Sequence, residues 1–472
     1  MNPDLSPFSL NSLQNLPTNL GSDVIGGRTV WSCNALDIEY FFHGFVLSLD
    51  PWLPNRLGAS WRQRMNILVL NNGSSSLKFQ LAALEDHSES ILVSGVVERI
   101  GGEALVTIKI GDKTFKLTAP LRDTTQALNF VIKNIIQHQD LIAGFKGLGD
   151  IHGVGHRVVH GGERFKASVL IDKDILNALE DCIELAPLHN PANLKGIEAI
   201  QDILGPTIPQ VAVFDTAFHA TMPESAWLYA LPYSSYRRHK IRRYGFHGTS
   251  YRYVSGRYRE VSGVSAEECN IIIFHLGNGC SACAIREGKS IDTSMGMTPT
   301  EGLVMGTRAG DLDPSVIEMI GTKEGMTFQE VQSMLNRDSG LLGISGITSD
   351  MRDLVAEVAE HQDRRAQLAI DIFAYRARKY LGSYMAAIGP VKAVIFSGGI
   401  GENSSLIREK IGGGLDHMGL HFDKDANMKL DKAKEKLGKI SKPESPVELY
   451  VIPTNEEIMI ARDTLKLIQA QA

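Results

Sequence analysis

Residues 66–81 read NILVLNNGSSSLKFQL. The nearly all-apolar start of this stretch is typical of a buried strand, its Gly/Ser centre of a polar turn, and its end of a second strand. A similar stretch, IIIFHLGNGCSACAI, occupies residues 271–285. An offset of 206 residues places Asn72 on Asn278, and the flanking strands then superpose without a gap. The chain is therefore predicted to contain two related halves.

After Met65 the chain alternates between short apolar runs and helical periodicity. Strands are predicted at 211–214 and 391–396, and each of them ends in a polar loop. Apolar residues recur at helical spacing over 174–185 and 350–388, and the charged stretch 423–442 is interpreted as a solvated helical face. This alternation favours an α/β fold in which helices cover the sheets.

Length, charge and cysteine content exclude several classes of protein. The 472 residues suffice for two or three domains, and the formal net charge of −6 gives no general attraction to polyanions, so nucleic acid is not an expected partner. Five cysteines are too few and too unevenly spread for a disulfide framework, which favours a cytoplasmic location. Cys280 and Cys283 have the spacing of half a zinc or redox site, but no second pair completes it.

Residues 1–64 differ from the rest of the chain because they contain no lysine and are rich in Asn, Ser and Pro. The aromatic run at 40–47 is too short to span a membrane and does not resemble a normal signal peptide, so no membrane association is expected. We expect residues 1–64 to be a disordered extension, or to precede a true start at Met65. Mass spectrometry of the natively expressed protein would distinguish these two cases.

Gly/Ser turns at strand ends suit phosphate groups, because glycine lets backbone N–H groups approach an anion closely. Several such loops in one chain predict a polyphosphate ligand. Two common nucleotide motifs are nevertheless incomplete. A P-loop ending at residues 288–290 would need glycine where Cys283 stands, and Ser404 replaces the third glycine of a dinucleotide fingerprint that begins at Gly399.

Two arginines lie in glycine-flanked motifs. Arg157 and Arg308 each occupy a setting in which a guanidinium group binds phosphoryl or carboxylate oxygens. His189 and His247 lie beside loop signals and not at the spacing of metal ligands. Taken one at a time, these residues are also typical of surface arginines and structural histidines, so the single motifs leave the function open.

Taken together, nine motifs in the same order resemble the acetokinase family. The resemblance runs from about Met65 to Ala472 and leaves out only the N-terminal residues. The motifs lie at 71–78, 155–163, 188–191, 214–219, 243–250, 275–279, 306–314, 398–403 and 453–457.

The resemblance implies reversible phosphorylation of acetate to acetyl phosphate, with ATP/ADP as co-substrate and Mg²⁺ or Mn²⁺ as cofactor. It also implies a homodimer and the duplicated two-domain α/β fold shared with sugar kinases, actin and the 70-kDa heat-shock chaperones, with the active site in the cleft between domains. One domain would comprise residues 65–215 completed by a C-terminal helix at 457–472, and the other residues 216–456.

The same resemblance implies roles for individual residues. The groups of phosphoryl transfer would be Asp215, Arg157, Arg308, His247, Asn278 and His189, although a structural role for His189 is an equal alternative. Arg157 would hold the acetate carboxylate in a pocket formed by Val159, Leu188, Phe246 and Pro299, and the divalent ion would lie near Asn71, Asp215 and Glu456. The nucleotide would contact Ser74, Ser76, Lys78, His275, Leu276, Gly277, Asn278, Gly279, Asp350, Met351, Arg352, Gly399, Ile400, Gly401, Glu402 and Asn403.

Three positions depart from the family pattern without removing a proposed catalytic group: Asn72, Ala192 and Tyr251. Two alternative functions remain open at this point. One is a related kinase that prefers propionate or butyrate, and the other is an actin-like or chaperone-like ATP-binding protein. A binding protein would have no use for two arginines beside a small apolar pocket, and no long peptide-binding domain follows the nucleotide-binding segments.

Overall fold

The computed structural model describes residues 22–25, 28–31, 64–73, 75–85, 88–187 and 189–471. Strands β1 (Ser22–Ile25) and β2 (Arg28–Trp31) pair with each other in antiparallel fashion and belong to a unit formed by Met1–Pro51. Residues Trp52–Ala472 form a second compact unit, to which all the following elements belong. Most of the predicted extension at 1–64 lies outside the described residues, so that expectation stays a prediction.

The first large sheet has eight strands in the order β7-β6-β5-β4-β3-β8-β10-β9. Strands β3, β8 and β10 run parallel to one another, and the other neighbours are antiparallel. The strands are β3 (Met65–Asn72), β4 (Ser76–Glu85), β5 (Ser88–Glu98), β6 (Gly102–Ile110), β7 (Lys113–Leu121), β8 (Gly153–Val158), β9 (Val169–Leu170) and β10 (Gln210–Phe214).

The second sheet has six strands in the order β13-β12-β11-β14-β16-β15. They are β11 (Ile271–Leu276), β12 (Cys280–Arg286), β13 (Lys289–Thr293), β14 (Ala393–Ser397), β15 (Gly438–Lys439) and β16 (Glu448–Val451). Strands β11, β14 and β16 are parallel, like β3, β8 and β10, and the flanking strands are antiparallel in both sheets. Strands β5-β4-β3-β8-β10-β9 of the first sheet therefore correspond in order and direction to β13-β12-β11-β14-β16-β15 of the second sheet. This correspondence confirms the predicted duplication.

Fifteen α-helices are present among the described residues. They are α1 (Thr124–Gln137), α2 (Lys173–Asp181), α3 (Asn190–Leu204), α4 (Glu224–Trp227), α5 (Tyr233–His239), α6 (Gly248–Ser262), α7 (Ser315–Glu324), α8 (Phe328–Arg337), α9 (Gly340–Ser345), α10 (Met351–His361), α11 (Arg364–Ile388), α12 (Gly398–Asn403), α13 (Ser405–Gly412), α14 (Lys424–Lys432) and α15 (Glu456–Gln469). Short 3₁₀ helices occur at Gln139–Leu141, Leu148–Asp150, Cys182–Leu185, Ala217–Thr221 and Asp416–Met418.

Helices cover both faces of each sheet, which explains the continuous apolar runs of the central strands. In β3, Leu68 and Leu70 pack with α1 and α3, whereas Ile67 and Val69 pack with α15 on the opposite face. Helix α15 lies directly on β8, because Gly155 has no side chain and an ideal Cβ there would be only 2.6 Å from Ile460 Cγ2. Helices α6 and α11 cover the two faces of the six-stranded sheet in the same way.

Two helical expectations need correction. The stretch 350–388 forms two helices, because Gln362 adopts a left-handed conformation with φ of 55° and Asp363 caps α11 by accepting a hydrogen bond from Ala366 N at 2.7 Å. The charged stretch 423–442 is helical only in α14, after which the chain enters the edge strand β15. An edge strand as short as two residues carries no periodicity that the sequence could reveal.

The thiols of Cys280 and Cys283 are not a metal or redox pair. The two residues point to opposite faces of β12, where they belong to different apolar clusters. Burial raises the pKa of Cys280 to about 12 and raises that of Cys283 further, so both stay protonated. The helices also differ from membrane-spanning ones: within the described parts of the chain, none is both long enough and apolar enough to cross a bilayer.

Candidate active site

The carboxyl ends of β3, β8 and β10 bring an arginine, an aspartate and an asparagine together. Arg157 Nε and Nη2 donate to Asp215 Oδ1 and Oδ2 at 2.9 and 2.5 Å, and Arg157 Nη1 donates to Asn71 Oδ1 at 3.0 Å. Asp215 is buried, and its backbone N–H donates to Val158 O at 3.1 Å. Burial lowers the pKa of Arg157, but Asp215 more than compensates and holds it above its usual value. This guanidinium is therefore a fixed cation.

Arg308 is a second, differently held cation. Its Nη1 donates to Pro299 O at 3.3 Å and approaches Met305 Sδ at 3.8 Å, and among the described residues no carboxylate forms an ion pair with it. Burial, together with the positive charge of Arg157, lowers the pKa of Arg308 without bringing it near neutrality. A mostly buried guanidinium without a carboxylate partner favours binding of an anionic ligand.

His189 precedes α3 and lies in the field of both arginines. Burial, followed by the charges of Arg308 and Arg157, lowers its pKa to about 4. The imidazole is therefore neutral at physiological pH and offers one N–H donor.

His247 immediately precedes α6 in a left-handed conformation with φ of 58°, which is unusual for a residue with a side chain. The next residue, Gly248, donates its N–H to Asp215 O at 2.9 Å, and a Cβ there would collide with that carbonyl. His247 Nδ1 lies 2.8 Å from Ser281 Oγ, and its ring stacks on His275 with centroids 4.2 Å apart. Burial and then the neighbouring His275 place the pKa of His247 well below its ordinary value.

The loop between β11 and β12 meets the Arg308 loop. Gly306 N donates to Asn278 O at 2.8 Å, and glycine is required at 306 because a Cβ would overlap Asn278 Oδ1. An ideal Cβ at Gly279 would lie 3.4 Å from Arg308 Nη1 and 3.7 Å from His247 Nε2. Arg308 and His247 therefore both approach Gly279, the residue that follows Asn278.

Apolar walls and an open cavity complete this region. Val159 and Phe246 are buried in one apolar cluster with Met305, and Pro299 touches Arg308 through its carbonyl oxygen. A cavity of about 800 Å³ opens beside His189, Pro299 and Arg308. Leu188, the remaining predicted wall residue, lies outside the described residues.

Oxygen donors gather at the start of α15. Asn455 caps the helix by accepting a hydrogen bond from Ile458 N at 3.0 Å, which makes Glu456 its first residue. Burial raises the pKa of Glu456; the charges of Asp215 and Glu457 add to this effect, whereas Arg157 and Lys78 oppose it. These interactions place Glu456 near Asp215 and Arg157.

Three side chains near the start of α15 offer oxygen donors suited to a divalent cation. Asn71, Asp215 and Glu456 offer hard oxygens of the kind that Mg²⁺ prefers. The described residues contain no group of three His, Cys, Asp or Glu side chains that could cage a metal. The residues fit an ion that keeps much of its water and binds a ligand's phosphates, because the mutual repulsion of Asp215 and Glu456 would be relieved by a cation.

The predicted phosphate-facing hairpin is only partly described. Ser74 lies outside the described residues, while Ser76 closes the turn by accepting a hydrogen bond from Gly73 N at 2.7 Å through its backbone oxygen. Lys78 faces Asn71 across β3 and β4, and its charge acts on both Glu456 and His275. The predicted residues Leu276, Gly277 and Gly279 belong to the end of β11 and the following turn, which is the counterpart of this hairpin in the second sheet.

The predicted nucleotide residues of α12 are held by internal contacts. Asn403 Nδ2 donates to Gly399 O at 3.0 Å, Ile400 packs against the large apolar cluster, and Gly401 fits closely over Phe396. Glu402 Oε1 accepts hydrogen bonds from Gly398 N at 2.9 Å and from Thr454 N at 3.1 Å. The Glu402 side chain thus joins two loops.

Asp350, Met351 and Arg352 are not connected to the arginines by any described contact. Asp350 and Arg352 form an ion pair with each other at 2.6 Å, and the Arg352 side chain is 88% exposed. Met351 is buried in the same cluster as Ile400. Their predicted contact with a nucleotide therefore stays a prediction.

Sequence reasoning gave no role to four buried or half-buried polar residues. Asn193 bridges Asn72 O at 2.9 Å and Val159 N at 3.1 Å, and Asn190 accepts from His160 N at 3.2 Å. Ser250 and Thr454 join His275 through their hydroxyl groups. All except Asn193 lie inside quoted motifs, so their position near the site could have been anticipated but their partners could not.

Two related α/β sheets, with arginines, histidines and carboxylates gathered at the ends of their parallel strands, define a kinase of the actin-like sugar kinase fold. The chain belongs to the acetokinase family, whose profile matches residues 66–462. An acetate kinase of Solibacter usitatus is 55% identical over 410 residues, which is 86% of this chain and 98% of the relative.

Solved structures agree with this assignment. The crystal structure of Porphyromonas gingivalis acetate kinase is 44% identical, with a TM-score of 0.79 over 86% of this chain and 100% of that one. A propionate kinase from Francisella tularensis is 42% identical, with a TM-score of 0.78 over 85% of this chain and 100% of that one. These relatives are kinases named for small carboxylates.

Proposed function

We propose that the protein is an acetate kinase, which transfers the γ-phosphoryl group of ATP reversibly to acetate and gives acetyl phosphate and ADP. An acetate oxygen forms a bond to the γ-phosphorus while the bond from that phosphorus to the ADP oxygen breaks. The observation that carries this proposal is Arg308, a mostly buried cation that has no carboxylate partner in the part of the chain that the structure describes and that lies near the fixed cation Arg157. Two anions that repel each other can meet only where such charges offset the repulsion.

The two arginines have different tasks in this proposal. Arg308, which pairs with no carboxylate among the described residues, binds the transferring phosphoryl group. Arg157 orients the acetate carboxylate, while Asp215 and Asn71 keep the Arg157 guanidinium in place. Acetate is already deprotonated at neutral pH, so the reaction needs no general base. Positioning and charge stabilisation supply the rate enhancement.

The histidines act as neutral donors. His247 and Asn278, together with Arg308, donate to equatorial phosphoryl oxygens, while His189 contributes a donor on the acetate side. Neutral imidazoles suit this role because they add no charge that would bind product too tightly. The left-handed conformation of His247 is maintained by the adjoining contact of Gly248 with Asp215.

Mg²⁺, or Mn²⁺ in its place, would be held by Asn71, Asp215 and Glu456, partly through water. Such an ion supplies charge neutralisation on the nucleotide phosphates when bound. The nucleotide itself is placed against Ser74, Ser76 and Lys78 on one side and against residues 275–279 and 399–403 on the other. Asp350, Met351 and Arg352 would form the outer end of that nucleotide site.

Acetate is favoured over longer acids by the buried Val159 and Phe246, with Leu188 and Pro299 as the other walls. One additional methylene changes the discrimination of an apolar pocket by only about 1–3 kcal/mol, so propionate is expected to react more slowly and not to be excluded. The Francisella tularensis neighbour, named a propionate kinase, supports keeping this second candidate. The names of the relatives give no support to an actin-like or chaperone-like binding protein.

Hydroxylamine trapping of acyl phosphate tests the proposal. Purified protein with Mg-ATP is incubated in parallel with acetate, propionate, butyrate or no acid. We expect hydroxamate with acetate, less with propionate and least with butyrate. If none of the three acids yields hydroxamate although ATP still binds, the proposed reaction is refuted.

We further propose a cytoplasmic homodimer whose two domains are residues 65–215 with 457–472, and residues 216–456. Exposed apolar side chains on α7 and α8 support a partner surface, since Met319 and Phe328 are 64% and 63% exposed. Light scattering after size-exclusion chromatography tests the dimer, and a monomer at micromolar concentration would refute it. Scattering at small angles with and without ligands tests domain closure.

A further inference from the structure

A chain of hydrogen bonds links the loop before α15 to the histidine pair. Thr454 Oγ1 lies 2.8 Å from Ser250 Oγ, and Ser250 Oγ lies 2.8 Å from His275 Nδ1. Ser250 is completely buried, so solvent does not replace either partner. His275 in turn stacks on His247.

Thr454 is itself fixed by a half-buried carboxylate. Its backbone N–H donates to Glu402 Oε1 at 3.1 Å, and the same oxygen accepts from Gly398 N at 2.9 Å. Gly398 begins α12 with φ of 75° and lies directly against the backbone of Leu276. The position of the Thr454 hydroxyl is therefore set by the two loops that surround the proposed nucleotide site.

The hydroxyl pair has consequences for the protonation of His275. Burial, with the charges of Arg157 and Lys78, lowers the pKa of this imidazole to about 4, so it carries one proton at neutral pH. When Ser250 donates to Nδ1, the imidazole proton lies on Nε2. When Ser250 accepts from Nδ1, the proton lies on Nδ1 and Nε2 is unprotonated. When the Thr454 hydroxyl donates to Ser250 Oγ, the Ser250 hydroxyl proton is available to His275 Nδ1. This direction of donation favours the arrangement in which the imidazole proton lies on Nε2.

The other ring nitrogen of His275, Nε2, is left available to a ligand by the described residues. Within the described residues, His275 Nε2 has no hydrogen-bond partner, and the residue lies in the field of Arg157 and Lys78. A phosphate oxygen can only accept a hydrogen bond. A hydrogen bond from His275 to a nucleotide phosphate therefore requires the arrangement in which Nε2 carries the proton.

We propose that Ser250, supported by Thr454, is a positioning residue that donates to His275 Nδ1 and thereby presents His275 Nε2–H to a phosphate oxygen of the nucleotide. This inference rests on the proposed function, because it takes the ligand to be ATP or ADP. It assigns Ser250 and Thr454 no direct contact with the reacting atoms. Their effect is exerted through His275.

Three variants test this inference. Ser250→Ala removes the partner of Nδ1, and Thr454→Val removes the supporting hydroxyl while keeping the shape of the side chain. Thr454→Ser keeps the hydroxyl and loses only a methyl group, so it is the matched control. We expect ADP binding, measured by calorimetry, to weaken about tenfold in Ser250→Ala, less in Thr454→Val, and to remain at the wild-type level in Thr454→Ser.

Nitrogen NMR of ¹⁵N-histidine-labelled protein provides a readout that a purely structural role would not change. The His275 signals are assigned by comparison with His275→Asn. We expect the Nε2–H tautomer in ADP-bound wild type and in Thr454→Ser, and a mixture of tautomers in Ser250→Ala. A proton on Nδ1 in ADP-bound wild type would overturn the inference, as would unchanged ADP binding in both Ser250→Ala and Thr454→Val.

The proposed function can fail separately from this inference. Absence of acetate-dependent hydroxamate in the wild type, together with ADP binding and the expected tautomer, would reject the acetate reaction and leave the role of Ser250 standing. Normal hydroxamate formation together with a proton on His275 Nδ1 would reject the role of Ser250 and leave the acetate reaction standing. If Ser250→Ala does not fold, the two Thr454 variants decide the outcome.

Discussion

At the scale of single residues, the two arginines show how partners determine what a charge can do. Arg157 is held by both oxygens of Asp215 and by Asn71, which leaves it little freedom to move. Arg308 is contacted by a carbonyl oxygen and a sulfur atom, neither of which neutralises it. The first arginine is suited to orienting a ligand, and the second to binding charge that develops during the reaction.

Replacing Arg308 by alanine tests this distinction. We expect Arg308→Ala to lower turnover by a factor on the order of 10³ while ATP still binds, because phosphoryl charge would lose its cationic partner. Steady-state kinetics and calorimetry with ATP measure the two effects. Arg257→Ala, on the exposed side of α6, is the control and should retain wild-type turnover. Unchanged turnover in Arg308→Ala would remove this residue from the mechanism.

Asn72, which departs from the family pattern, is accommodated by a glycine on a neighbouring helix. Gly196 of α3 faces the Asn72 side chain, and a Cβ at 196 would overlap Asn72 Nδ2. We expect Gly196→Ala to destabilise the protein by about 1–3 kcal/mol, since the buried Asn72 has little room to move. The double variant Asn72→Ala with Gly196→Ala should regain most of that loss, as measured by urea denaturation. Equal stability of single and double variants would contradict the proposed overlap.

The sequence named residues that the structure brings together, but it did not reveal their arrangement. Arg157, Asp215 and Asn71 were named from separate motifs, and their contacts span 58 and 86 residues of chain, which no local pattern encodes. Ser250 and Thr454 show the same limit, because their link depends on how α6 and the loop before α15 are brought together. The two backbone N–H groups that donate to Glu402 Oε1 were not predictable either, and the predicted contact of Glu402 with the nucleotide stays a prediction.

At the scale of elements, the duplicated hairpins were predictable and the sheet edges were not. Strands β3 and β11 are buried on both faces, so they appear as apolar runs in the sequence. Strands β5, β6 and β7 have one partly exposed face and mix polar with apolar residues. Their pattern is weaker, and it gave no prediction of these three strands at the edge of the first sheet.

The packing of α15 on β8 can be tested with a pair of strand glycines. Gly155→Ala should destabilise the protein by about 1–3 kcal/mol and lower turnover, because a Cβ at this position pushes against Ile460 and Thr464 of the helix that begins with Glu456. Gly102→Ala in β6 is the matched control, since nothing lies within 4 Å of an added Cβ there. Thermal unfolding and steady-state kinetics measure both properties. Equal effects of the two substitutions would show that α15 tolerates displacement.

At the scale of the whole molecule, buried histidines should make the fold sensitive to acid. His156, His160 and His219 are at most 1% exposed, and burial lowers the pKa of each from 6.5 to about 4. Between these values the unfolded chain binds protons that the folded protein does not, so stability falls as pH decreases from 6.5 towards 4. Each histidine contributes a loss of up to about 3 kcal/mol over that interval.

Urea denaturation at several pH values measures this acid sensitivity. The wild type should lose stability steeply below pH 6.5. In His156→Gln, the slope of the unfolding free energy against pH should fall by the amount that corresponds to about one bound proton. His417→Gln, at an exposed histidine, is the matched control substitution. A pH-independent stability between 6.5 and 5 would contradict the prediction.

The burial of the cysteines has a practical consequence for measuring motion. All four described thiols, those of Cys182, Cys269, Cys280 and Cys283, are enclosed in the protein. Maleimide reagents react with accessible thiolates, so these positions should give little background once Cys33 is replaced. A cysteine introduced near β6 and another on α14 could then carry a donor and an acceptor dye. Single-molecule fluorescence would follow the separation of the two sheets during turnover.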